Sequence, residues 1–334
     1  MHISSCFRPA QRLSFPRFIR LVALAAGIMG VLPGCSDDDE TDSAPAAPDK
    51  ITVPQAALHP EGIQYDEANK RFLVSSRTRG RIGTAKDDST YTEFASDARI
   101  LSSIGLNLDA GRSRLLVAVS DNGANPLSKP ETLRKLAALA IFNSNNGALL
   151  SYVDLGILRP NQNHFANDTA VDAQGNAYIT DSLSPIVYKV DAQGVASVFV
   201  EDPLLSGGTG FGLNGIVFHP DGYLLVAKSN DGTLFKVPLT APTTFSRVTS
   251  SQSLVGADGL LLLDPQPLLV VAGSQSTVYR MTSATAWATT SLTSSFATGA
   301  VSPTTITRRN TTDAYVLYPY QSTAPRFAIV KVRF

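Results

Sequence analysis

The sequence has 334 residues, in which 28 lysines and arginines balance 28 aspartates and glutamates. This length allows one to three domains, and the lack of a net positive charge argues against a nucleic-acid partner. Its two cysteines, Cys6 and Cys35, both precede the first predicted strand, so no disulfide is expected within the folded part of the chain.

Residues 1–34 are predicted to be a lipoprotein signal peptide. Four arginines and no acidic residue precede and flank an apolar run at 21–32, which is the order of a secretory signal. Twelve apolar residues are too few to span a bilayer, which needs roughly 20. The run ends in Leu-Pro-Gly-Cys, which resembles the bacterial lipobox, so we expect Cys35 to be acylated and to become the mature N-terminus. The alternative is a plain secretory signal cut elsewhere, which would leave Cys35 as a free thiol.

Residues 35–50 are predicted to be a disordered acidic tether. After Cys35 this stretch holds six acidic residues, two prolines and no large apolar residue, so it cannot bury enough surface to fold. The alternative is an acidic metal-binding tail. As a tether it would hold the folded domain at the periplasmic face of the outer membrane or at the cell surface. Membrane contact is then expected only through the N-terminal lipid anchor.

From residue 51 to residue 334 the sequence is made of short strands that repeat. In the best copy, at 164–182, an alternating strand reaches residue 171, a turn follows, and a second strand runs over 177–180, which is a β-hairpin pattern. A polar residue opens each of four such copies. These four are spaced 106, 47 and 44 residues apart: Glu61, Asn167, Asn214 and Asp258.

The repeat predicts an all-β, six-bladed β-propeller with a central channel over residues 51–334. The long first interval holds two periods and an insert at 122–135, with an intermediate unit at 104–109. A sixth unit opens near Thr304 but has only three strands, and residues 51–53 could supply the fourth and close the ring. Units of about 45 residues match propeller blades, whereas a β-sandwich does not explain the period.

Four short motifs contain the polar residues that open the repeats: Glu61-Gly62-Ile63, Asn167-Asp168, Asn214-Gly215-Ile216 and Asp258-Gly259-Leu260. Together they resemble the SMP-30/gluconolactonase/LRE-like family, and the resemblance covers most of residues 59–334. The segments around Asn167 and Asn214 are also similar to members named calcium-dependent phosphotriesterase-like. The resemblance implies that Glu61, Asn214 and Asp258 hold a cation and that Asn167 is a further ligand or a substrate contact.

The chemistry of the four polar residues agrees with a metal site. The innermost strand of each propeller blade lines the channel, so Glu61, Asn167, Asn214 and Asp258 are expected to converge there. Two carboxylates and two amide oxygens without Cys or His suit Ca²⁺ or another hard divalent cation rather than zinc. Facing buried carboxylates would also be costly without a cation. The alternative is that each residue sits in a turn and bonds its own backbone.

The family resemblance implies lactone or ester hydrolysis, because a cation with an open position polarises a carbonyl or phosphoryl oxygen. We expect Asp258 to be the general base. His164 is a second acid–base candidate if it faces the channel mouth, and a structural loop histidine is the alternative. Gluconolactonase-type members carry an Arg where this chain has Phe165. A less polar lactone or ester, contacted by Phe165 and Asn167, is therefore expected as the small-molecule partner.

Two classes of function remain open on the sequence. The first is a calcium-dependent hydrolase, and the second is a non-catalytic NHL-like propeller in which a structural ion supports a binding surface. A serine hydrolase is not expected because no Gly-x-Ser-x-Gly motif is present. The glycine-rich run at 207–212 opens no predicted helix and is interpreted as a flexible loop at the channel mouth. Nothing in the sequence specifies an oligomeric state.

Overall fold

The computed structural model describes residues 46–320 and 324–334, and the part from Ala46 onward forms one compact unit. Both cysteines, the predicted signal peptide and the predicted tether as far as residue 45 lie outside the described residues. Within the described ranges, no helix is long and apolar enough to cross a membrane.

The described residues form 24 β-strands and five 3-10 helices of three residues each. The strands in chain order are β1 (Lys50–Val53), β2 (Ile63–Asp66), β3 (Arg71–Val74), β4 (Arg81–Ala85), β5 (Tyr91–Ser96), β6 (Ser102–Asp109), β7 (Arg114–Ser120), β8 (Ala137–Asn143), β9 (Leu149–Asp154), β10 (Ala166–Val171), β11 (Ala177–Asp181), β12 (Ile186–Val190), β13 (Ala196–Glu201), β14 (Leu213–His219), β15 (Tyr223–Lys228), β16 (Thr233–Pro238), β17 (Ser246–Ser250), β18 (Ala257–Leu262), β19 (Leu268–Ala272), β20 (Thr277–Thr282), β21 (Thr289–Ala297), β22 (Ile306–Arg308), β23 (Ala314–Tyr318) and β24 (Phe327–Lys331). The 3-10 helices are Ala110–Arg112, Gly156–Leu158, Pro203–Leu205, Pro242–Thr244 and Gly273–Gln275.

The strands assemble into antiparallel sheets that follow the sequence repeat. The sets β2–β5, β6–β9 and β10–β13 are each four-stranded sheets with neighbours in chain order. The sets β14–β17 and β18–β21 have the same order and are joined into one eight-stranded sheet, because β17 and β21 pair in parallel at Thr249–Thr289 and Ser250–Thr290. The hairpin predicted within 164–182 is confirmed as β10 and β11.

The last sheet joins the two ends of the folded unit. Its order is β1-β24-β23-β22, so residues 51–53 supply the missing fourth strand, as predicted. The Tyr315 hydroxyl also donates to the carbonyl of Pro48 at 2.7 Å, and the Lys331 N–H donates to the carbonyl of Asp49 at 2.8 Å. Residues 48–50 therefore also contact the last sheet.

The core lies between neighbouring sheets, so many strands are buried on both faces. All five residues of β19, Leu-Leu-Val-Val-Ala, are buried, and so are all five of β23. Short continuous apolar runs of this kind are typical of strands covered on both sides. Phe72 of β3 packs edge-on against Tyr315 of β23 with ring centroids 5.4 Å apart, which ties the first full sheet to the last.

The first strands of the sheets contact one another in a closed cycle: β2 with β6, β6 with β10, β10 with β14, β14 with β18, β18 with β22, and β22 with β2. The fold is β-propeller-like, with these strands innermost. Residues at the starts of these strands line one cavity, and later residues of the same strands line a second.

Candidate functional site

The larger cavity has a volume of about 600 Å³ and lies where the inner strands begin. The four predicted ligands, Glu61, Asn167, Asn214 and Asp258, all line it. Phe165 lines it as well. The sequence therefore identified side chains that the fold brings to one place, although up to 197 residues separate the first from the last.

Backbone bulges aim these side chains into the cavity. In β10, β14 and β18 the pairing with the next strand shifts by one residue, between Ala166 and Thr169, Leu213 and Ile216, and Ala257 and Leu260. The extra residues are the motif dipeptides that begin at Asn167, Asn214 and Asp258. A bulge places two residues opposite one and redirects a side chain. The alternative interpretation of these three as turn residues is therefore wrong.

The glycine that follows most of the motif residues allows neighbouring inner strands to approach closely. A Cβ added at Gly215 would collide with the carbonyl oxygen of Asp258, and one added at Gly62 would collide with that of Ile104. Gly105 and Gly259 lie in the same crowded position. These glycines are needed for packing rather than for a turn.

The pKa values of the two carboxyl groups of the cavity are both raised when no cation is bound. Burial, followed by the negative charges of Asp258 and Asp168, raises the pKa of Glu61 well above its usual range. Burial and the charge of Asp168 raise the pKa of Asp258 to about 8, although a hydrogen bond from Asn214 opposes the shift. A nearby positive charge would offset both effects.

Asn167 supplies an oxygen that has no partner among the described residues. Its side chain is 4% exposed, and its Nδ2 donates to Ser182 Oγ at 2.8 Å. That bond fixes the orientation of the amide and leaves the buried Oδ1 without a hydrogen bond within residues 46–320 and 324–334. Buried polar atoms are normally satisfied, so an orphaned acceptor needs an explanation. A cation would satisfy it, and the oxygen-only donor set of the cavity fits Ca²⁺.

Carboxylates alone do not make a metal site here. In the described part of the chain, no group of three or more His, Cys, Asp or Glu side chains is placed to hold a metal ion. A cation in the cavity would therefore depend on the amide oxygens of Asn167 and Asn214 as well as on Glu61 and Asp258.

Arg77 and Asn122 also line the cavity, and the sequence analysis missed them. The positive charge of Arg77 acts against the raised pKa of both Glu61 and Asp258. Arg77 lies shortly after the end of β3, and Asn122 lies shortly after the end of β7. Each of these strands is the second in its sheet, and each ends at or next to a serine. Comparing the ends of the second strands across repeats, as well as the starts of the first strands, would have found them.

Asp168 faces the other cavity, which has a volume of about 220 Å³ and is lined by later residues of the inner strands. It occupies the position that is glycine in the other motifs. Burial raises the pKa of Asp168 to about 7, against backbone hydrogen bonds from Thr169 and Ile216. Its charge reaches both carboxyl groups of the larger cavity.

The prediction that His164 faces the channel mouth is wrong. His164 is buried and is not part of the cavity lining. Its Nδ1 lies 2.7 Å from Asp181 Oδ2, and its Nε2 lies 2.8 Å from the carbonyl oxygen of Arg159. Because both ring nitrogens are engaged, the imidazole has no free atom for proton transfer to a substrate. His164 holds the loop before β10 instead.

Phe165, the predicted substrate contact, lines the larger cavity. Its ring meets that of Phe211 edge-on, with centroids 5.0 Å apart. Phe211 comes from the glycine-rich run at 207–212, which was predicted to be a loop at the channel mouth, and it lines the same cavity. The two rings add an apolar patch to a cavity that also holds the four predicted oxygen ligands.

No family model and no curated protein matches this chain. Solved structures do match it in fold. The allergen Mala s 1 of Malassezia sympodialis is 18% identical with a TM-score of 0.69, and the alignment covers 86% of this chain and 97% of the allergen. A gluconolactonase from Xanthomonas campestris is 17% identical with a TM-score of 0.57, over 85% of this chain and 89% of the enzyme.

A luciferin-regenerating enzyme is also similar, with 12% identity and a TM-score of 0.58 over 85% of this chain and 97% of that one. At these identities the likeness is one of fold. The chain shares a β-propeller-like architecture with proteins of several activities, so the fold alone does not specify its function.

Proposed function

We propose that this chain is a calcium-dependent hydrolase of a lactone or related ester that works in the larger cavity. The observation that carries the proposal is the buried, unpartnered Oδ1 of Asn167, which shares the cavity with the Glu61 and Asp258 carboxyl groups. The same residues would be an unfavourable arrangement with no cation bound.

We also propose that the sheets are the six blades of one propeller and that the chain is a distant member of the SMP-30/gluconolactonase/LRE-like family. The closed cycle of six inner strands supports the blade count, if the eight-stranded sheet is two blades joined by their outer strands. Similarity in fold to a gluconolactonase and the four motif residues in one cavity support the family.

Within this proposal Glu61, Asn214 and Asp258 hold the cation, with the Oδ1 of Asn167 as a further ligand. When bound, the cation would polarise the carbonyl oxygen of the ester and compensate the two carboxylates. Ser182 keeps the amide of Asn167 oriented through its 2.8 Å hydrogen bond. Asn214 keeps Asp258 oriented through the hydrogen bond between their side chains.

Asp258 is the proposed general base. The oxygen of a water molecule adds to the ester carbonyl carbon while a carboxylate oxygen of Asp258 takes a proton from that water. The bond between the carbonyl carbon and the leaving alkoxide oxygen then breaks, and Asp258 returns the proton to that oxygen. The products are an acid and an alcohol, which stay in one molecule if the substrate is a lactone.

The lining of the cavity favours a substrate of low polarity. Phe165 offers no hydrogen bond to a sugar hydroxyl, and a buried hydroxyl without a partner costs about 1–3 kcal/mol. A sugar lactone would therefore bind less well than an apolar lactone or an ester.

Hydrolysis of a panel of lactones and aryl esters, measured with Ca²⁺ and with a chelator, tests the proposal. We expect activity that the chelator abolishes and that Asp258→Ala lowers by about 100-fold or more. Asp221→Asn, which changes an exposed aspartate on another turn, is the matched control and should keep full activity. Activity that ignores the chelator, or no activity from folded protein, would instead favour the non-catalytic NHL-like binding module.

We further propose that the chain is exported as a lipoprotein acylated at Cys35 and held at the outer membrane or cell surface. The support is the sequence Leu-Pro-Gly-Cys after an apolar run. Mass spectrometry of the mature N-terminus should find a lipid on Cys35, and Cys35→Ala should release the protein from the membrane fraction. An unmodified N-terminus at another residue would contradict this.

A further inference from the structure

The lining of the larger cavity combines polar and apolar groups. Four lining residues supply oxygen atoms, and this set is called the floor: Glu61, Asn167, Asn214 and Asp258. Phe165 and Phe211 also line the cavity and meet edge-on, and this pair is called the mouth because the ring of Phe211 is 44% exposed. A ligand that fills the cavity therefore meets both polar and apolar groups.

Phe165 is the fixed part of the mouth. It is 4% exposed, and its backbone N–H donates to Asp181 Oδ1 at 2.8 Å. Asp181 is in turn held by His164 and by the hydroxyl of Tyr188 at 3.1 Å. This fully bonded cluster lies directly behind Phe165, so the ring keeps its position whether or not a ligand is bound.

Phe211 is the adaptable part of the mouth. Its loop is anchored at Gly212, whose N–H donates to Ser182 O at 2.7 Å and whose carbonyl accepts from Ser229 at 2.8 Å. The tip has little around it, because a Cβ added at Gly208 would meet nothing within 4 Å. Phe211 itself is 44% exposed, although it is a large apolar side chain.

We propose that Phe165 and Phe211 form an apolar subsite that receives the aromatic ring or alkyl chain of the substrate. The ring of Phe211 would turn aside to admit this group and then cover it, while the ester group reaches the floor. The inference rests on the proposed hydrolase function, whose substrate class it names: lactones or esters that carry an aryl or alkyl substituent next to the reacting group.

The physical basis is the burial of aromatic surface. Phe211 exposes its ring to water in the free protein, so a ligand ring that packs against Phe211 removes apolar surface of both the ligand and Phe211 from water. A polyhydroxylated ligand gains nothing there. One extra apolar group in such a pocket commonly changes specificity by about tenfold or more.

The effect of Phe211→Ala on the relative hydrolysis of two six-membered lactones separates this subsite from the chemistry at the floor, because their difference in leaving group acts equally in both proteins. Dihydrocoumarin carries a fused benzene ring, and δ-valerolactone does not. We expect wild-type protein to prefer dihydrocoumarin, and Phe211→Ala to lower the ratio of the two kcat/KM values by about tenfold. Phe211→Leu should restore part of the preference. Leu127→Ala, which removes an exposed apolar side chain elsewhere, should leave the ratio unchanged.

Binding of chroman, the dihydrocoumarin skeleton without its carbonyl group, tests the subsite without any reaction. Calorimetry should show that wild-type protein binds chroman and that Phe211→Ala binds it about tenfold more weakly. Chroman binding without hydrolysis of any lactone would overturn the proposed function and support the subsite. Equal binding to both proteins, no binding to wild type, or an unchanged ratio of kcat/KM values would overturn the subsite.

Discussion

His164 and Asn167 are only three residues apart in the chain, but they belong to two buried polar clusters that differ in one respect. Around Asp181 every polar atom has a partner: the carboxylate receives hydrogen bonds from the N–H groups of Phe165, Leu183 and Ser184, and it contacts His164 and Tyr188. Around Asn167 the amide oxygen has none among the described residues, and the negative charge of Asp258 raises the pKa of Glu61 in the same cavity.

This difference distinguishes a cluster that stabilises the fold from a cluster that is arranged to bind a ligand. Satisfied buried networks fix a local conformation, and unsatisfied ones are unfavourable unless something else binds. The histidine that the sequence suggested for catalysis belongs to the satisfied cluster. The asparagine three residues later belongs to the unsatisfied one. Substitutions at Asp181, Asp258 and His164 test this difference.

Asp181→Ala should cause the largest loss of stability. The substitution leaves the buried imidazole of His164 and three buried N–H groups without their acceptor, and breaking a buried charged pair costs about 3–5 kcal/mol. The free energy of unfolding from urea denaturation measures this loss. The exposed Asp221→Asn should change it by less than about 0.5 kcal/mol. A loss below about 1 kcal/mol for Asp181→Ala would remove the distinction between the clusters.

Asp258→Asn should behave in the opposite way. Without a cation this substitution replaces a carboxyl group whose pKa desolvation and the charge of Asp168 raise to about 8, so the free energy of unfolding should stay the same or rise. With Ca²⁺ at 100 times its dissociation constant, wild type should gain about 2.7 kcal/mol. The variant should gain far less at the same concentration. Equal gains in the two proteins would show that Ca²⁺ binds elsewhere.

The charge on His164 should make a smaller, pH-dependent contribution. Burial opposes this charge, but the hydrogen bond and the negative charge of Asp181 outweigh it, so the pKa of His164 is raised above 6.5 even though Lys135 opposes it. The stabilisation is complete below the unfolded pKa of about 6.5 and is lost as pH rises through the raised folded value.

Urea denaturation of wild type and His164→Gln between about pH 5 and about pH 9 measures this contribution. The difference in the free energy of unfolding should shrink as pH rises. A difference that grows with pH would mean that His164 is neutral in the folded protein.

Much of the fold could be predicted from the sequence because polar residues recur at the start of the repeats, and their spacing gives the length of one repeat. The same pattern located Glu61, Asn167, Asn214 and Asp258, and it identified residues 51–53 as the strand that completes the last sheet. What the pattern could not give was backbone geometry. Asn-Gly and Asp-Gly are good turn dipeptides, yet at Gly215 and Gly259 they lie in bulges where the next strand is too close for a Cβ.

Residues outside the repeated positions were harder to place. His164 sits next to a motif, but the strand that follows β10 brings Asp181 behind it and turns its ring away from the cavity. Arg77 reaches the cavity from beyond the end of a second strand, whereas the repeated motifs lie at the starts of the first strands. Phe211 was recognised only as part of a loop, because its contact with Phe165 spans two different sheets.

A crystal structure of the protein soaked with Ca²⁺ or a lanthanide would locate the proposed ion through its anomalous signal. We expect one strong peak in the larger cavity, within a coordination distance of about 2.3–2.6 Å for Ca²⁺ from the side-chain oxygens of Glu61, Asn167, Asn214 and Asp258. The peak should vanish in Asp258→Ala. A wild-type cavity without a peak, or a peak only at Asp168 in the smaller cavity, would contradict the proposed site.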